Sequence, residues 1–543
     1  MGSPLDPDGE LRKLAGDCVH CGFCLPACPT YQLWGEEMDS PRGRIHLITQ
    51  LLDGSAGTAA VGLHLDRCLG CMACVPACPS GVRYDRLITA ARSWQEDTPP
   101  AVTPDHPAVP ASSSVPPISL TTVAGPDTPT PPATGSAPSA PSAAPDTARA
   151  PSAPSTTPGT AGTRVGRAAA QLARRRRERM GVPGQPAGAG PGPVLPARSA
   201  RDRATRAAIF ATFPYPRRLR PLLAPLRAAQ KTGLAGRLGR STLASRLTPE
   251  LAAALRVAPP PGSAAKGRGP LPGEPSRLPR RVPARGTRRA VVGMLTGCVQ
   301  QVFFPAVNAA TARVLAAEGC DVIIPAGQGC CGALSLHGGR LAEARRFARR
   351  TIATFEQAGV DTIVVNAAGC GSAMKEYAEL LEGDGGWGRR AAALAARVRD
   401  LSEFLDDLGP AARRHPLPVR AAYHDACHLG HAQRITAPPR ALLGGIPGLL
   451  LTEIPNGSTC CGSAGIYNLV QPGPARELGE RKADAVASTG ARLLIAANPG
   501  CTLQISAALA ARGQVMPVAH LAEVLDASLR GVPVGRLLGS QAG

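Results

Sequence analysis

A cysteine pattern that occurs twice near the amino terminus constrains this chain more than any other feature of its sequence. The copies, CVHCGFCLPACP at 18–29 and CLGCMACVPACP at 68–79, share the spacing C-x2-C-x2-C-x3-C-P, and corresponding cysteines lie 50 residues apart. In two-cluster ferredoxins with this spacing, three close cysteines bind one [4Fe-4S] cluster and the fourth binds the other. Zinc sites instead usually pair two C-x2-C units. The pattern therefore predicts two clusters, one held by Cys18, Cys21, Cys24 and Cys78, and one by Cys28, Cys68, Cys71 and Cys74.

The length and the cysteine content narrow the class of protein. A chain of 543 residues has room for three or four domains. Its 17 cysteines are too dilute for a secreted disulfide scaffold and fall in ligand-like groups, which predicts a reducing compartment. The acidic amino terminus and the absence of any run of about 18 apolar residues predict neither a signal peptide nor a transmembrane helix. We therefore expect a cytoplasmic protein. Any contact with the cell membrane would be peripheral and at its inner face.

The net charge of +21 is concentrated in one segment. Residues 161–290 contain 28 Lys and Arg against four Asp and Glu, and residues 101–160 contain 15 prolines. Such a composition cannot bury enough apolar surface to offset its chain entropy, so we predict a low-complexity, largely disordered basic linker over 96–285. The arginine content is interpreted as that of a solvated linker rather than of a lipid-binding or nucleic-acid-binding segment. Aromatic residues that would stack on bases are scarce there, which further weakens the nucleic-acid interpretation. No nucleic-acid partner is predicted.

An α/β pattern resumes near Arg288 and occurs twice. The strand-like segments RRAVVGMLTGC, CDVIIP and DTIVVNAAGC alternate with helical patterns, and PVRAAYHDAC and ARLLIAANPGC flank another helical pattern further on. This order predicts doubly wound parallel sheets. The predicted fold class is α+β multidomain, with a helical ferredoxin-like module at 1–95, the linker at 96–285, and duplicated α/β cysteine-rich domains at 286–415 and 416–535.

A second set of cysteines marks this duplication. Each lies just after a predicted strand or in a Gly-rich loop, and the carboxyl ends of parallel strands are where such folds bind ligands. We therefore predict a redox-active thiol site or an extra cluster site in each copy, with inert buried cysteine as the alternative and as the interpretation of Cys320. Three histidines near Cys427, namely His424, His428 and His431, are interpreted as core histidines rather than ligands. The set comprises Cys298, Cys330, Cys331 and Cys370 in the first copy, and Cys427, Cys460, Cys461 and Cys501 in the second.

Several of these segments resemble the iron–sulfur subunits of bacterial glycolate oxidase (glycolate dehydrogenase). They are CVHCGFC, CPTYQLWGEEMDSPRGRIHLI, LDRCLGC and CPSGVRY in the amino-terminal part, and GCCGA, AAGCGSAMKEY and CCGSAGIY in the duplicated part. The chain is similar more broadly to proteins that join a ferredoxin module to duplicated CCG domains, among them subunits of lactate utilisation, anaerobic glycerol-3-phosphate dehydrogenase and heterodisulfide reductase. The CCG domains of heterodisulfide reductase end in C-x2-C, whereas Cys370 and Cys501 are not followed by another cysteine. A fifth thiolate is therefore missing from both copies.

The resemblance implies a subunit of an oxidoreductase complex. Flavoprotein partner subunits carrying FAD would oxidise glycolate to glyoxylate, and this chain would pass the electrons through two [4Fe-4S] clusters to a quinone or another acceptor. No G-x-G-x-x-G follows a predicted strand, so we expect flavin only in partners, and we assign no catalytic residue here. The alternatives are the equivalent subunit of a D-lactate, L-lactate or glycerol-3-phosphate dehydrogenase, and a thiol–disulfide reductase of the heterodisulfide type acting at the paired cysteines.

Overall fold

The structure, a computed structural model, describes residue 6 and residues 8–54, 58–97, 198–241, 248–258, 278–514 and 516–539. The elements below all belong to one compact unit, formed by Met1–Val102 together with Gly192–Gly543. The Pro-rich segment and the LARRRRERM run, for which the sequence predicts disorder, lie outside the described residues.

The amino-terminal module is helical, as predicted. Ser40 accepts a hydrogen bond from the Gly43 N–H at 3.0 Å and precedes a proline, which is a strong signal for a helix start. Gly43 is required because a Cβ there would lie 2.0 Å from the Glu37 carbonyl oxygen. The helices bury a common apolar core that includes Ile48 and Leu87. Their bounds are Glu10–Gly16, Pro29–Trp34, Pro41–Leu52, Thr58–Arg67 and Tyr84–Asp97, with a 3-10 turn at Glu37–Asp39.

Part of the predicted linker has regular structure. Its alanines, leucines and arginines are strong helix formers, and Ile209 packs against Leu469 of the second α/β copy. The prediction of disorder assumes that the arginines of this segment are solvated. Arg198 and Arg206 are not, because they lie 2.9 and 3.3 Å from a carboxylate oxygen of Asp66 in the amino-terminal module. The helices are Ala200–Thr212, Pro216–Leu219, Leu223–Lys231, Leu234–Arg240 and Pro249–Val257, with a 3-10 turn at Arg220–Leu222.

The first α/β copy is a five-stranded sheet covered by helices. The sheet has the order β1-β3-β2-β4-β5, and the strands are parallel except for β1, which pairs antiparallel with β3. The strands are β1 (Arg281–Val282), β2 (Ala290–Leu295), β3 (Cys320–Ile323), β4 (Thr362–Val365) and β5 (Val398–Asp400). The helices are Val299–Phe303, Pro305–Ala317, Ala333–His337, Leu341–Ala358, Ala368–Lys375, Tyr377–Leu380, Trp387–Ala395 and Leu401–Leu408.

The second copy repeats this topology, which confirms the predicted duplication. Its parallel sheet has the order β7-β6-β8-β9, which matches β3-β2-β4-β5 of the first copy. The strands are β6 (Val419–His424), β7 (Leu449–Glu453), β8 (Leu493–Ala496) and β9 (Val518–His520). The helices are Ala437–Gly444, Tyr467–Val470, Pro472–Ala487, Pro499–Ala511, Leu521–Leu529 and Val534–Leu537, with a π-helical turn at His428–Ala432.

Helices of the two copies pack against each other. Helix Pro305–Ala317 of the first copy packs against Leu521–Leu529 of the second, and Ala437–Gly444 of the second packs against Leu401–Leu408 of the first. One apolar core runs through both copies. The loops after β4 and β8 also touch, because the Ala368 N–H donates to the Ala497 carbonyl at 3.2 Å. The carboxyl edges of the two sheets are therefore neighbours. Among the described residues, no helix has the length and apolar character needed to cross a bilayer.

Candidate metal centres

The eight amino-terminal cysteines line two adjacent cavities. Each cavity is lined by the first three cysteines of one run and by the last cysteine of the other, and Cys74 of the second run also borders the first cavity. Apart from this additional contact of Cys74, the grouping is the one that the spacing predicts for the two ligand sets, which themselves stay a prediction. The first cavity is lined by Cys18, Cys21, Cys24, Cys78 and Cys74, and the second by Cys28, Cys68, Cys71 and Cys74.

Matching backbone conformations form the two cysteine loops. His20 and Gly70, which lie 50 residues apart, have φ values of 55° and 62°, and Gly22 and Met72 have 87° and 60°. Left-handed residues at these points curl each loop around its own cavity. In the second loop the Gly70 N–H points to the Cys68 Sγ at 3.4 Å. The duplicated cysteine sequence therefore forms two loops of similar backbone conformation, each of which lines one cavity with sulfur atoms.

The two cavities differ in exposure. Cys21 is exposed at the first, and its neighbours Val19 and Phe23 are 68% and 67% exposed. At the second cavity Cys28, Cys68 and Cys74 are buried. The first cavity therefore lies at the surface of this unit, and the second lies inside it.

A buried charge network lies against the second cavity. Arg44 is 1% exposed and Asp39 is fully buried. The guanidinium of Arg44 donates to the Asp39 carboxylate at 3.2 Å and to the Thr30 hydroxyl at 3.1 Å, and that hydroxyl lies 3.2 Å from the Cys28 Sγ. His64 and Arg67 contact the same carboxylate at 2.9 and 2.7 Å. Two arginines facing one carboxylate leave a positive charge that favours thiolate ligands.

Hydrogen bonds and charge also act on the sulfurs of the second cavity. Burial alone would raise the pKa of the Cys68 thiol, but Arg44, Arg92 and the hydrogen bonds to its sulfur bring that pKa below its usual value. One of these hydrogen bonds comes from the Tyr84 hydroxyl at 3.5 Å. Burial and the neighbouring cysteines raise the pKa of Cys74 well above its usual value. Two close sets of four sulfur donors suit soft, thiolate-bound metal centres, so the residues present fit iron–sulfur clusters.

The predicted cysteines of the first α/β copy come together after β2, β3 and β4. The Cys298 Sγ lies 3.6 Å from the Cys330 Sγ, and the Gly332 N–H donates to the Cys330 Sγ at 3.3 Å. Hydrogen bonds from the Cys330 and Cys370 thiols hold the pKa of Cys331 well below its usual value. Cys320 lies in β3 within the apolar core, apart from this set.

The second copy has the same cysteine set but different surroundings. Hydrogen bonds from the Cys460 and Cys501 thiols hold the pKa of Cys461 well below its usual value. A His424 ring nitrogen and the sulfurs of Cys461 and Cys501 lie within 4.8 Å of one another. His424 is fully buried, and neither ring nitrogen has a hydrogen-bond partner in the described part of the chain. Leu295 occupies the same strand position in the first copy, so this nitrogen donor belongs to the second copy.

The three histidines near Cys427 therefore play different parts. The ring of His428 contacts the Gly70 carbonyl at 3.0 Å, and the ring of His431 contacts the Ser458 carbonyl at 2.8 Å. These two have the hydrogen bonds expected of structural histidines. His424 does not, and a buried imidazole without a hydrogen bond costs free energy unless a ligand or metal engages it.

The second cavity lies directly against the second copy. Leu69 and Cys71 pack with Cys427, Cys460 and Tyr467 in one apolar cluster. Burial and the nearby Cys427 raise the pKa of Cys71 well above its usual value. The second amino-terminal sulfur set and the second-copy thiols are therefore in contact.

Sequence reasoning missed the residues that surround the cysteines. Arg44, Asp39 and Tyr84 act on the second cavity, and the buried Lys482 donates to two carbonyls at 2.9 and 3.1 Å beside the second-copy thiols. The sequence signal that could have indicated Asp39 and Arg44 is the segment DSPRGR at 39–44, where charged residues flank a helix start. Nothing in the sequence near Lys482 sets it apart from a surface lysine of helix Pro472–Ala487.

A larger cavity of about 950 Å³ lies away from the cysteines that line the first two. Linker helices and both α/β copies wall it, mostly with apolar side chains. Gln300, two residues after Cys298, is 3% exposed and lines this cavity. Its amide has no hydrogen-bond partner in the part of the chain that the structure describes.

Three family models match this chain. The 4Fe-4S dicluster domain matches residues 15–82, and the CCG cysteine-rich domain matches residues 292–375 and 421–506. The model described as the linker region of the glycolate oxidase iron-sulfur subunit matches residues 201–258, which are the helices of the linker.

Curated relatives match over nearly the full length. The probable glycolate oxidase iron-sulfur subunit of Bacillus subtilis (strain 168) is 30% identical over 525 residues, covering 95% of this chain and 94% of the relative. The glycolate oxidase iron-sulfur subunit of Escherichia coli (strain K12) is 30% identical over 535 residues, with 97% and 96% covered. Lactate utilization protein A of Exiguobacterium sp. (strain ATCC BAA-1283 / AT1b) is 33% identical over 240 residues, but this match covers 44% of this chain.

Proposed function

We propose, from the premise that this chain belongs to the family of glycolate oxidase iron-sulfur subunits, that it carries electrons from glycolate oxidation to an acceptor. Glycolate would be oxidised to glyoxylate at flavoprotein partner subunits, so that the chain is part of a glycolate dehydrogenase. The observation that carries the proposal is the pair of adjacent cavities that the eight amino-terminal cysteines line, with Cys74 bordering both.

The eight amino-terminal cysteines would hold two [4Fe-4S] clusters. When bound, these clusters supply one-electron transfer. Buried Arg44 and the Tyr84 hydroxyl favour extra negative charge at the second set of sulfurs, because a cation and a hydrogen-bond donor both stabilise it. The ligand sets are Cys18, Cys21, Cys24 and Cys78, and Cys28, Cys68, Cys71 and Cys74.

The second-copy thiols are candidates for a further redox centre. His424 could supply a nitrogen ligand to a metal ion beside the sulfurs of Cys461 and Cys501. Cys427 of the same set packs in one apolar cluster with Cys71 of the second cluster set. The first copy has the equivalent cysteines with Leu295 in place of the histidine. The vicinal cysteine pairs also keep thiol–disulfide exchange as the second candidate activity, because two thiols of the first-copy set are close enough to exchange, with the Cys298 and Cys330 sulfurs 3.6 Å apart.

The acceptor would be a quinone or another electron carrier. The 950 Å³ cavity suits a flat apolar molecule with carbonyl groups, because the buried Gln300 amide can donate to a carbonyl oxygen and accept from a hydroxyl. FAD is assigned to the partner subunits, since the sequence has no dinucleotide fingerprint after a strand. A cytoplasmic location at the inner face of the cell membrane would bring the chain to such an acceptor.

Glycolate is favoured over lactate and glycerol 3-phosphate by the extent of the similarity. Relatives named for glycolate oxidase match 95% and 97% of the chain, whereas the relative named for lactate utilisation matches 44%. The model that matches the linker helices is also described for the glycolate oxidase subunit. An equivalent lactate or glycerol-3-phosphate subunit is the alternative.

Iron analysis and electron paramagnetic resonance of the anaerobically prepared chain test this proposal. With only the two amino-terminal sets filled, we expect about eight iron atoms per chain and two cluster signals. Cys21→Ser should remove one signal and Cys71→Ser the other, while Cys320→Ala, outside all the sets, should leave both. Adding the flavoprotein subunits and glycolate should reduce the clusters. Zinc in place of iron, or clusters that glycolate cannot reduce but lactate can, would contradict the proposal.

A further inference from the structure

The linker helices carry a concentrated positive charge without acidic neighbours in sequence. Residues 217–240 contain seven Lys and Arg and no Asp or Glu. Six of these side chains are exposed on helices Pro216–Leu219, Leu223–Lys231 and Leu234–Arg240 and the turn between the first two. The six are Arg217, Arg218, Arg220, Arg227, Lys231 and Arg237.

These six cations form no ion pair with any described residue. Arg218 lies over the Tyr215 ring at 4.5 Å, and Arg220 donates to the Gln301 amide oxygen at 3.2 Å. Both partners are neutral. Arg198 and Arg206, which belong to the same linker, contact the Asp66 carboxylate instead. The charge of these six side chains is therefore not neutralised within the described part of the chain.

Exposed leucines accompany this charge. Leu222, Leu234, Leu238 and Leu251 are 50%, 48%, 40% and 55% exposed, and they make up half of the eight large apolar side chains that are exposed among the described residues. Leu234, Arg237 and Leu238 share one helix face, because positions i, i+3 and i+4 lie together. Leucine and arginine therefore point to solvent from the same surface.

This combination fits an anionic membrane better than a nucleic acid. Surface-bound amphipathic helices place leucines at the acyl boundary while Lys and Arg reach the lipid headgroups. Single-stranded nucleic acid is bound by cations together with stacking aromatic rings. Residues 216–258 contain no aromatic residue. A purely solvated linker gains nothing from exposing four leucines.

We propose that the linker helices, over residues 216–240 together with Leu251, are a peripheral binding surface for an anionic lipid bilayer. The cations contact the lipid headgroups, and the leucines enter the boundary between headgroups and acyl chains. The proposal stands on this surface and does not require the electron-transfer role. If both hold, the surface would deliver the chain to an acceptor that is dissolved in the membrane.

Flotation of the full chain with vesicles tests the proposal. We expect binding to vesicles of phosphatidylcholine with 30% phosphatidylglycerol, weak or no binding to phosphatidylcholine alone, and loss of binding at high salt. Arg227→Gln with Lys231→Gln should weaken binding roughly 30-fold, at about 1 kcal/mol for each charge. Leu234→Ser with Leu238→Ser should weaken it at least tenfold at unchanged charge.

Matched variants elsewhere on the surface serve as controls. Leu450→Ser, at a leucine that is 61% exposed on β7, and Arg413→Gln with Arg492→Gln should leave vesicle binding unchanged. Iron content and circular dichroism check that every variant is folded. The proposal is overturned if the chain ignores anionic vesicles, if the controls weaken binding as much as the linker variants, or if the linker surface binds duplex DNA in place of vesicles.

Discussion

Side-chain hydroxyl groups contact two sulfurs of the second cysteine cavity, those of Cys68 and Cys28. The Tyr84 hydroxyl is 3.5 Å from the Cys68 Sγ, and the tyrosine is 4% exposed. A donor aimed at a ligand sulfur stabilises the reduced, more negative state of a cluster and so raises its reduction potential. The sequence predicts the cysteine but not this donor, because Tyr84 belongs to a helix that starts six residues after Cys78.

Tyr84→Phe should lower the reduction potential of the second cluster. The ring stays and the hydroxyl goes, so about 0.5–1.5 kcal/mol of stabilisation of the reduced state is lost. A redox titration followed by electron paramagnetic resonance measures the potential of each cluster. Tyr31→Phe on the same module is the control and should shift neither potential. An unchanged second potential in Tyr84→Phe would show that the hydroxyl does not act on the ligand sulfur.

His520 is built into the fold as a neutral histidine. Its Nδ1 accepts the Ala522 N–H at 3.0 Å at the start of helix Leu521–Leu529, and its Nε2 lies 2.8 Å from the Asn366 carbonyl. Nε2 therefore carries the proton and donates it. Burial lowers the pKa of His520 to about 4, against the opposing hydrogen bond to Asn366. A proton on Nδ1 would remove the acceptor that caps the helix.

The stability of the chain should fall as the pH drops from 6.5 towards 4 because of His520. In this range the unfolded histidine binds a proton and the folded one does not, so the lost free energy of unfolding reaches about 2 kcal/mol between pH 7.5 and 5. Denaturant unfolding at several pH values measures it. His520→Asn keeps a capping side chain and should show a shallower pH dependence by that amount, whereas His46→Asn, at an exposed histidine, should match the parent.

At the scale of elements, buried apolar runs were predictable and short edge strands were not. The segments around β2, β4 and β8 are nearly continuous apolar runs, which is what parallel strands covered on both faces require. Those around β3 and β6 are interrupted only by Asp321 and by Arg420 with the terminal His424. β5 and β9 have three residues each, and β7 continues a leucine-rich segment that also suits a helix. Their identity comes from pairing with a neighbouring strand, which local sequence does not encode.

The linker helices show how tertiary contacts override composition. Arg198 and Arg206 are each 9% exposed at the side chain and meet Asp66, whose side chain is 16% exposed. Burial would raise the pKa of Asp66, but the two arginines lower it below its usual value. An arginine-rich sequence looks solvated until its acidic partners are known, and Asp66, which both arginines share, lies more than 130 residues away in the sequence.

Asp66→Asn should loosen helix Ala200–Thr212 from the amino-terminal module. Arg198 keeps its contacts with Glu96 and Asp202, and Arg206 keeps its contact with Asp202, but both lose the acidic partner of the module that they share. We therefore expect a loss of about 2 kcal/mol in the free energy of unfolding and faster proteolysis of that helix. Asp53→Asn is the matched control, because its partner Arg12 has a half-exposed side chain, and it should cost about 1 kcal/mol or less. Equal effects of the two substitutions would contradict a structural role for the Asp66 contacts.

At the scale of the whole molecule, the amino-terminal module meets both α/β copies. Arg92 donates to the His337 carbonyl of the first copy at 3.0 Å, and His428 of the second copy contacts the Gly70 carbonyl at 3.0 Å. Gly339 of the first copy permits this closeness, since a Cβ there would lie 2.4 Å from the Arg92 carbonyl oxygen. The sequence predicts each module but no contact between modules, because nothing local in either partner marks the surface that the other covers.

This assembly should protect the second cluster from oxygen while the first remains accessible. Leu69, which lines the second cavity and is 6% exposed, packs against the second copy and limits solvent access to that cavity. Cys21 at the first cavity is exposed. On exposure to air the cluster signal that Cys21→Ser removes should decay first. Leu69→Glu places a carboxylate in an apolar contact, which cannot be buried without a large free-energy cost, so the interface should open and the second cluster should then decay as fast as the first.

The matched substitution is Leu63→Glu on the same module, where the leucine is 46% exposed and a carboxylate remains solvated. It should leave both decay rates as in the parent chain. The iron content of each variant before exposure to air shows whether both clusters were assembled. If Leu69→Glu assembles both clusters and the second still outlasts the first, then the contact with the second copy does not shield it, and protection must come from within the amino-terminal module.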